Sequence, residues 1–368
     1  MELVVRKNDL LKELSLLQGI VERKNTIPIL ANVLIEAADG AVSLLATDLD
    51  VALRTRCEAT VSKPGTLTLP AKKLFEIVNA LPDTDIRIEA DKGGKSVTIA
   101  ADRFESKLQT LPASEFPTPP QESEGVQASL PGGALKRMIS HTRFAITSED
   151  TRYFLNGAQL VLRPESLSMV ATDGHRLALV TVNEPSGAAE PAEVLLPRKT
   201  LNEVARLLDG DAKIDFSQGE NHIFFKTAGR LLISRKIDAN FPAYERVIPK
   251  TNDKQIEFDR DRLAAAVRRV RLLSNERSKA VKFSIAPGQV EITSSTPELG
   301  EAQEVLPVEY SGPELQICFN ADYVDNFLNV VETENVLLEF KDEMSQAVVK
   351  PIGAEGYEYT YVIMPMRL

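Results

Sequence analysis

The chain has 368 residues, 43% of them hydrophobic and 26% charged, with a formal net charge of −10. That length suits two or three domains with cores of their own. No window approaches the roughly 20 apolar residues of a membrane-spanning helix, and the charged start MELVVRKNDLLKEL excludes a signal peptide, so a soluble, cytoplasmic protein without membrane contact is expected. A uniformly acidic surface would also exclude nucleic acid, because phosphate binding needs clustered Lys and Arg; the placement of the charges therefore matters more than their sum.

The first unit opens with a helix carrying Leu10, Leu14, Leu17 and Val21 on one side and Lys12 and Glu13 on the other. Alternating strand-like runs follow, then a short helix from Lys72 to about Ala80, then three more runs ending in LPASEFP. The segment PTPPQESEG, with Glu122 and Glu124, is a linker. After it the plan restarts. A helix places Leu135, Met138, Ile139 and Thr142 on one face, LPRKTLNEVARLLDG repeats LPAKKLFEIVNALP, and Phe241-Pro242 repeats Phe116-Pro117. ATDGHRLAL from Ala171 likewise repeats ATDLDVAL from Ala46. A third, more diverged copy has helices DRLAAAVRRVRLL and NADYVDNFLNVV.

Three copies of helix, strands, helix, strands predict an α+β fold of three tandem pseudo-repeated domains, over 1–120, 126–246 and 247–368. Each has two helices on antiparallel sheets, and such repeats stack or close so that sheet edges are protected.

Enzyme chemistry is hard to find. Asp173 and His175 suggest a general-base pair, and a hydrolase built on them is one alternative, but no activated nucleophile accompanies them. Asp48 and Asp50 lack a matching set of metal ligands, and DKGGKS from Asp91 reads as a hairpin turn because Glu89 stands where a phosphate loop needs glycine. His141 and His222 are isolated, and Cys57 and Cys318 read as buried small apolar residues rather than a disulfide. No metal, cofactor or catalytic residue is expected.

The helices are more basic than the chain. Leu263, Val267 and Val270 form a buried stripe opposite Arg262 and Arg269, with Arg268 on its flank. Other helices offer Lys72, Lys73, Lys136, Arg137, Arg143, Arg198, Lys199 and Arg206, while Asp322 and Asp325 make the sixth acidic. Pseudo-symmetry would gather the basic faces into one positive surface suited to sequence-independent contact with duplex phosphates.

LNG at Leu155, ATDGHRLA at Ala171, FPAYERVIP at Phe241, LSNE at Leu273 and the terminal YVIMPMRL closely resemble the bacterial DNA polymerase III beta-subunit family of sliding clamps, along the whole chain. The resemblance implies a non-catalytic processivity factor: a head-to-tail homodimeric ring around double-stranded DNA, helices inside, tethering the DNA polymerase III alpha subunit, the clamp loader, and other polymerases and repair proteins through their clamp-binding peptides. It implies a peptide pocket of Leu155, Thr172, Gly174, His175, Arg176, Leu177, Pro242, Arg246, Val247, Met344, Val362, Met364, Pro365, Met366 and Arg367. It matches Lys24, Tyr153 and Phe154 to DNA-contact positions, beside the inward helix cations Arg137, Lys199, Arg262 and Arg269. The subunit interface would pair Lys73, Ile77 and Leu108 with Leu272 and Leu273. The alternative within the same family likeness is a peptide-binding scaffold that does not encircle DNA.

Overall fold

A computed structural model describes residues 1–21, 26–122, 125–147 and 149–367; Lys24 and Glu124 lie outside them. Among the described residues there are six α-helices: α1 (Lys7–Leu17), α2 (Ala71–Ala80), α3 (Gly132–Thr142), α4 (Arg198–Leu207), α5 (Arg260–Val270) and α6 (Ala321–Val330). Every sheet is antiparallel, which gives the α+β class expected. Backbone contacts divide the chain into two compact units, Met1–Gly133 with Gly187–Ala189 and Lys199–Lys236, and Ala134–Ser186 with Glu190–Arg198 and Ile237–Leu368. Strands of the second sequence repeat therefore fall into both.

In the first unit an eight-stranded sheet runs Val126–Leu130, Ile214–Gln218, His222–Thr227, Arg230–Arg235, Val51–Glu58, Ala41–Thr47, Asn32–Ala38, Gly65–Pro70. A five-stranded sheet runs Thr60–Lys63, Glu2–Arg6, Asp85–Ala90, Ser96–Ala101, Phe104–Gln109. DKGGKS is the expected hairpin: Asp91 Oδ1 accepts from Lys95 N at 2.9 Å, and Gly94 takes φ 66°.

Helix α1 buries Leu10, Leu14 and Leu17 but stops there, leaving Val21 beyond its end. Glu13, expected to face solvent, is instead buried, where Arg230 grips it through Nε at 2.9 Å and Nη2 at 2.6 Å. The acid is tolerated because a guanidinium matches both carboxylate oxygens. Arg206 of α4 donates to the carbonyls of Ser15 and Leu16, at 2.6 and 3.3 Å. It thus adds charged donors at the negative end of α1, where the Leu16 carbonyl also accepts from Gly19 N.

The second unit has an eight-stranded sheet of Ala192–Pro197, Gly157–Arg163, Ser166–Thr172, Arg176–Val182, Glu358–Ile363, Ala347–Pro351, Asn335–Phe340, Lys254–Asp259. Its four-stranded sheet is Gly300–Pro307, Gln289–Thr296, Ala280–Ala286, Leu315–Asn320. Leu263, Val267 and Val270 of α5 are buried as expected, and so are Leu135, Met138, Ile139 and Thr142 of α3. Asp259 caps α5 by accepting from Arg262 N at 2.8 Å. His141 is fully buried, its ring edge-on to Tyr357 and Tyr359, and Tyr359 Oη donates to its carbonyl at 2.7 Å. Cys57 and Cys318 are half-buried rather than buried. Burial pushes the Cys57 thiol up to about 12, with Glu13 and Asp9 adding to the shift, so it stays protonated.

Two expectations follow. Replacing Glu13 with alanine leaves Arg230 unpaired in a largely buried position, and should lower unfolding free energy by about 3 kcal/mol in denaturant titration; the double change Glu13→Leu with Arg230→Met should recover most of it. Burial lowers the pKa of His141 despite its bond to the Arg137 carbonyl. Its neutral form is therefore favoured in the folded state, a contribution complete above its unfolded value of about 6.5 and lost as pH falls below it. Thermal midpoints from pH 7.5 to 5 should fall more steeply for the native chain than for His141→Gln.

Candidate functional site

The turn joining Ser166–Thr172 to Arg176–Val182 is built by two side chains. Thr172 Oγ1 donates to the Arg176 carbonyl at 2.6 Å and accepts from Gly174 N at 3.1 Å. Asp173 Oδ1 accepts from the backbone N–H groups of His175 and Arg176, at 3.0 and 3.1 Å. Gly174 supplies the left-handed residue, with φ 87°. Asp173 thus meets the backbone of His175, not its imidazole, and Asp173 Oδ2 is taken by Arg176 Nε at 3.0 Å. A carboxylate so engaged does not orient a general base, which removes the hydrolase reading.

Arg176 is the node of the site. Nη1 donates to Asn326 Oδ1 at 2.7 Å and Nη2 to the Phe144 carbonyl at 2.6 Å, while the guanidinium lies 4.3 Å over the Tyr323 ring. Burial works against the charge, but Tyr361 and Asp173 outweigh it and hold the pKa above its ordinary value. Arg152 clamps the turn from outside, donating through Nη1 to the Asp173 carbonyl at 3.0 Å while Glu149 holds its other face at 2.6 Å.

Beside the turn lies an apolar cluster. Val170, Leu177, Val348 and Val362 are buried, and Leu179, Phe241, Tyr244 and Ile248 pack against them half-buried. Leu177 stands opposite Val362 across the strand pair. The chain then continues as a tail pinned by its backbone: Met364 N donates to the His175 carbonyl at 2.9 Å and Met366 N to the Cys318 carbonyl at 2.7 Å. Met364, Pro365 and Met366 are half-buried, while Arg367, His175, Gly174, Pro242, Arg246 and Val247 are exposed. Leu155 is buried at the end of the short helix Asp150–Leu155, and its carbonyl accepts from Thr147 N at 3.3 Å. Met344 sits about half exposed in the turn before Ala347–Pro351, fixed by Asp342.

Three family models cover this chain: the N-terminal domain of the DNA polymerase III beta subunit matches residues 1–120, the central domain 129–243 and the C-terminal domain 245–367. The chain belongs to the DNA polymerase III beta-subunit family. The beta sliding clamp of Pseudomonas putida is 38% identical over 373 residues and that of Escherichia coli 37% over 372, with both partners covered in full each time. Among solved structures, the DNA polymerase III beta subunit of Pseudomonas aeruginosa superposes with a TM-score of 0.93 at 36% identity, both chains again fully covered. A sliding clamp of the same organism bound to griselimycin gives 0.94 at 37%, with the same coverage.

The other residues expected of a sliding clamp are spread over the surface. Tyr153 is 58% exposed, with half-buried Phe154 edge-on to it at 6.0 Å. Among the nominated helix cations, Arg262 is exposed and forms no ion pair among the described residues. The other three are engaged: Arg137 lies 4.8 Å over the Tyr357 ring, Lys199 binds the Ile20 carbonyl and the Asp48 carboxylate, and Arg269 meets both oxygens of Glu304. Arg268 pairs with Asp325, and Arg271 with Asp322. The unopposed basic face read from α5 alone is thus largely neutralised by acids of α6 and of the strand Gly300–Pro307. Lys73 is exposed and paired with Glu76, Ile77 and Leu108 are half-buried, Leu273 is half-buried, and Leu272 is 73% exposed.

Sequence reading missed Arg152, Phe144, Tyr323 and Asn326, whose contacts with the turn are made across long sequence separations. It also missed Val170, Leu179, Val348, Tyr244 and Ile248, although the last two sit inside the FPAYERVIP run that carried the family resemblance. Replacing Gly174 with alanine should weaken the turn by about 1–2 kcal/mol, since its Cβ would carry φ 87° and stand 2.8 Å from Arg152 Nη1. Hydrogen exchange at His175 and Arg176 should accelerate while the rest of the sheet keeps its protection.

Proposed function

We propose that the chain acts as a DNA sliding clamp, a non-catalytic ring that encircles duplex DNA and holds partner proteins by short peptides bound over Leu177 and Val362. The cluster beside the Thr172–Arg176 turn carries this reading: an apolar floor, a backbone-pinned Met364–Met366 tail, and exposed His175, Arg246 and Val247 around it. Met side chains adapt to different apolar anchors, which suits a pocket shared by a polymerase alpha subunit, a clamp loader and repair proteins. The pocket residues are those matched to the family above, with Met344 at the outer rim. Three repeats over 1–120, 126–246 and 247–368 supply the domains, and the cytoplasm is the compartment; among the described residues no helix is long and apolar enough to cross a membrane.

A head-to-tail homodimer fits the open sheet edges. Phe104–Gln109 ends one sheet and Gly300–Pro307 another, and both carry exposed apolar residues: Phe104 on the first, Val305 on the second. Unpaired edges of this kind invite pairing with another chain. Exposed Leu272, with Leu273, Lys73, Ile77 and Leu108, belongs to the same contact. Towards DNA, Tyr153, Phe154 and Arg262 present a stacking surface and an uncommitted charge, with Lys24 as a further contact. The partnered state of Arg268, Arg269 and Arg271 is what favours the second reading, a peptide scaffold that does not encircle DNA.

One assay separates the two. Loaded onto nicked circular DNA, the protein should be retained and should slide off once the circle is linearised; equal loss from both forms would remove the ring. Arg262→Glu should reduce the salt slope of DNA retention by about 1 per lost phosphate contact without dissociating the dimer. His175→Ala should weaken binding of a partner peptide with the unfolding midpoint unchanged, and undiminished peptide affinity would take His175 out of the pocket.

A further inference from the structure

Of the six methionines in the chain, Met138 and Met169 are sealed in the core of the second unit, each 0% exposed. Met1 lies in the first unit, beside Gly65. The remaining three gather at one end of a strand pair. Ala347 stands opposite Ile363, so Met344, three residues before Ala347, and Met364, directly after Ile363, leave the sheet at the same end, and Met366 follows in the tail. Met344 is 51% exposed and Met364 and Met366 are half-buried, so all three side chains meet solvent. The same strand pair supplies Val348 and Val362, opposite each other, to the apolar floor.

The backbone does not require a thioether there. The first repeat builds the same turn: Asp48 Oδ1 accepts from Asp50 N and Val51 N, at 2.9 and 2.6 Å, as Asp173 does from His175 and Arg176. Arg235 N donates to the Asp50 carbonyl at 2.9 Å, where Met364 N donates to that of His175. The frame thus accepts an arginine at the position of Met364. Met364 and Met366 are themselves pinned through main-chain N–H groups, so chemical change at either sulfur leaves the tail in place and alters only the surface it shows. A thioether is an apolar group that a mild oxidant makes polar and a dedicated reductase restores.

We propose that Met344, Met364 and Met366 form a reversible oxidation site: a peroxide converts them to sulfoxides ahead of the buried methionines, and the polar rim so formed releases an apolar side chain from the floor of Leu177 and Val362. Each sulfur takes one oxygen atom from hydrogen peroxide. An S–O bond forms as the O–O bond breaks, the sulfur gives up an electron pair, and the departing hydroxide picks up the remaining proton and leaves as water. A sulfoxide oxygen is an acceptor that an apolar ligand cannot satisfy, so covering it costs affinity. The release rests on the peptide pocket proposed above; the oxidation does not.

The full-length protein, labelled at Met, Leu and Val methyls, is treated with dilute hydrogen peroxide, followed by NMR, and titrated with N-acetyl-Leu-Leu-amide before and after. The Met344, Met364 and Met366 methyls should move to sulfoxide positions while those of Met138 and Met169 stay. The Leu177 and Val362 shifts produced by the probe should then need about tenfold more of it, and methionine sulfoxide reductases for both epimers should restore the first titration. In the variant carrying Met344→Leu, Met364→Leu and Met366→Leu, whatever its own affinity, peroxide should change nothing, although Met1 is still present. Oxidation of the three no faster than that of Met138 and Met169 overturns the site, and so does a loss of binding that recurs in the variant. Equal affinity before and after oxidation overturns the release and leaves the pocket standing. Leu177 and Val362 methyls that ignore the probe in the reduced protein overturn the pocket reading, and the release with it.

Discussion

The Asp173 carboxylate holds together three things that the pocket needs at once: a turn of fixed shape, the placement of His175, and the direction of Arg176. One oxygen accepts two backbone N–H groups and the other accepts from Arg176 Nε. The backbone of the turn is thereby satisfied within the turn itself, although Gly174 and His175 face solvent. Asp48 performs the backbone half of the same task, and its second oxygen goes to Lys199 instead. The tolerance of the turn is visible at its left-handed residue. Gly174 adopts φ 87° freely, whereas Leu49 adopts φ 83° against the preference of a residue with a Cβ. The hydrogen-bonded frame is therefore strong enough to impose that conformation on a leucine.

The same logic accounts for where the positive charge goes. In a chain of net charge −10, several arginines serve the fold: Arg230 neutralises buried Glu13, Arg206 closes the carbonyl end of α1, and Arg176 ties the turn to α6. Arg268, Arg269 and Arg271 meet acids on neighbouring elements. In the clamp reading proposed above, weak and salt-sensitive attraction from uncommitted groups such as Arg262 would hold DNA without arresting on it.

Much of this was legible in the sequence because it is local or periodic. Helical spacing places Leu135, Met138 and Ile139 in a core whatever surrounds them, and the repeated ATD, LP and FP strings mark equivalent positions. What was not legible depends on partners distant in the chain. Glu13 lies three residues after Leu10 and four before Leu17, on the flank of the buried stripe, but only Arg230, on a strand far along the chain, makes the burial of its charge tolerable. The basic face of α5 has no acid of its own after Asp261, so nothing local reveals Asp325 or Glu304 across from it. Arg176 could be placed beside the turn from its motif, yet its engagement with Phe144 and Asn326, made across long sequence separations, could not. The half-exposure of Cys57 and Cys318 likewise reflects neighbouring strands that composition cannot supply.

The division of labour at the tail would let the proposed peptide pocket be both definite and permissive. Met364 and Met366 are held through backbone N–H groups, on the carbonyls of His175 and Cys318, so their position does not depend on their side chains. The floor of Val170, Leu177, Val348 and Val362 is buried and close-packed, which fixes its contour. Between a rigid floor and a pinned backbone, only the thioethers, the imidazole of His175 and the exposed Arg246 and Val247 remain to rearrange. In the peptide site proposed above, an incoming apolar side chain would meet a surface whose ordering cost has largely been met in folding, while the unbranched Met chains would accommodate differences in its shape. In the first repeat the corresponding backbone position is taken by Arg235, whose N–H bonds the Asp50 carbonyl, so the same frame presents a charged side chain instead of a thioether.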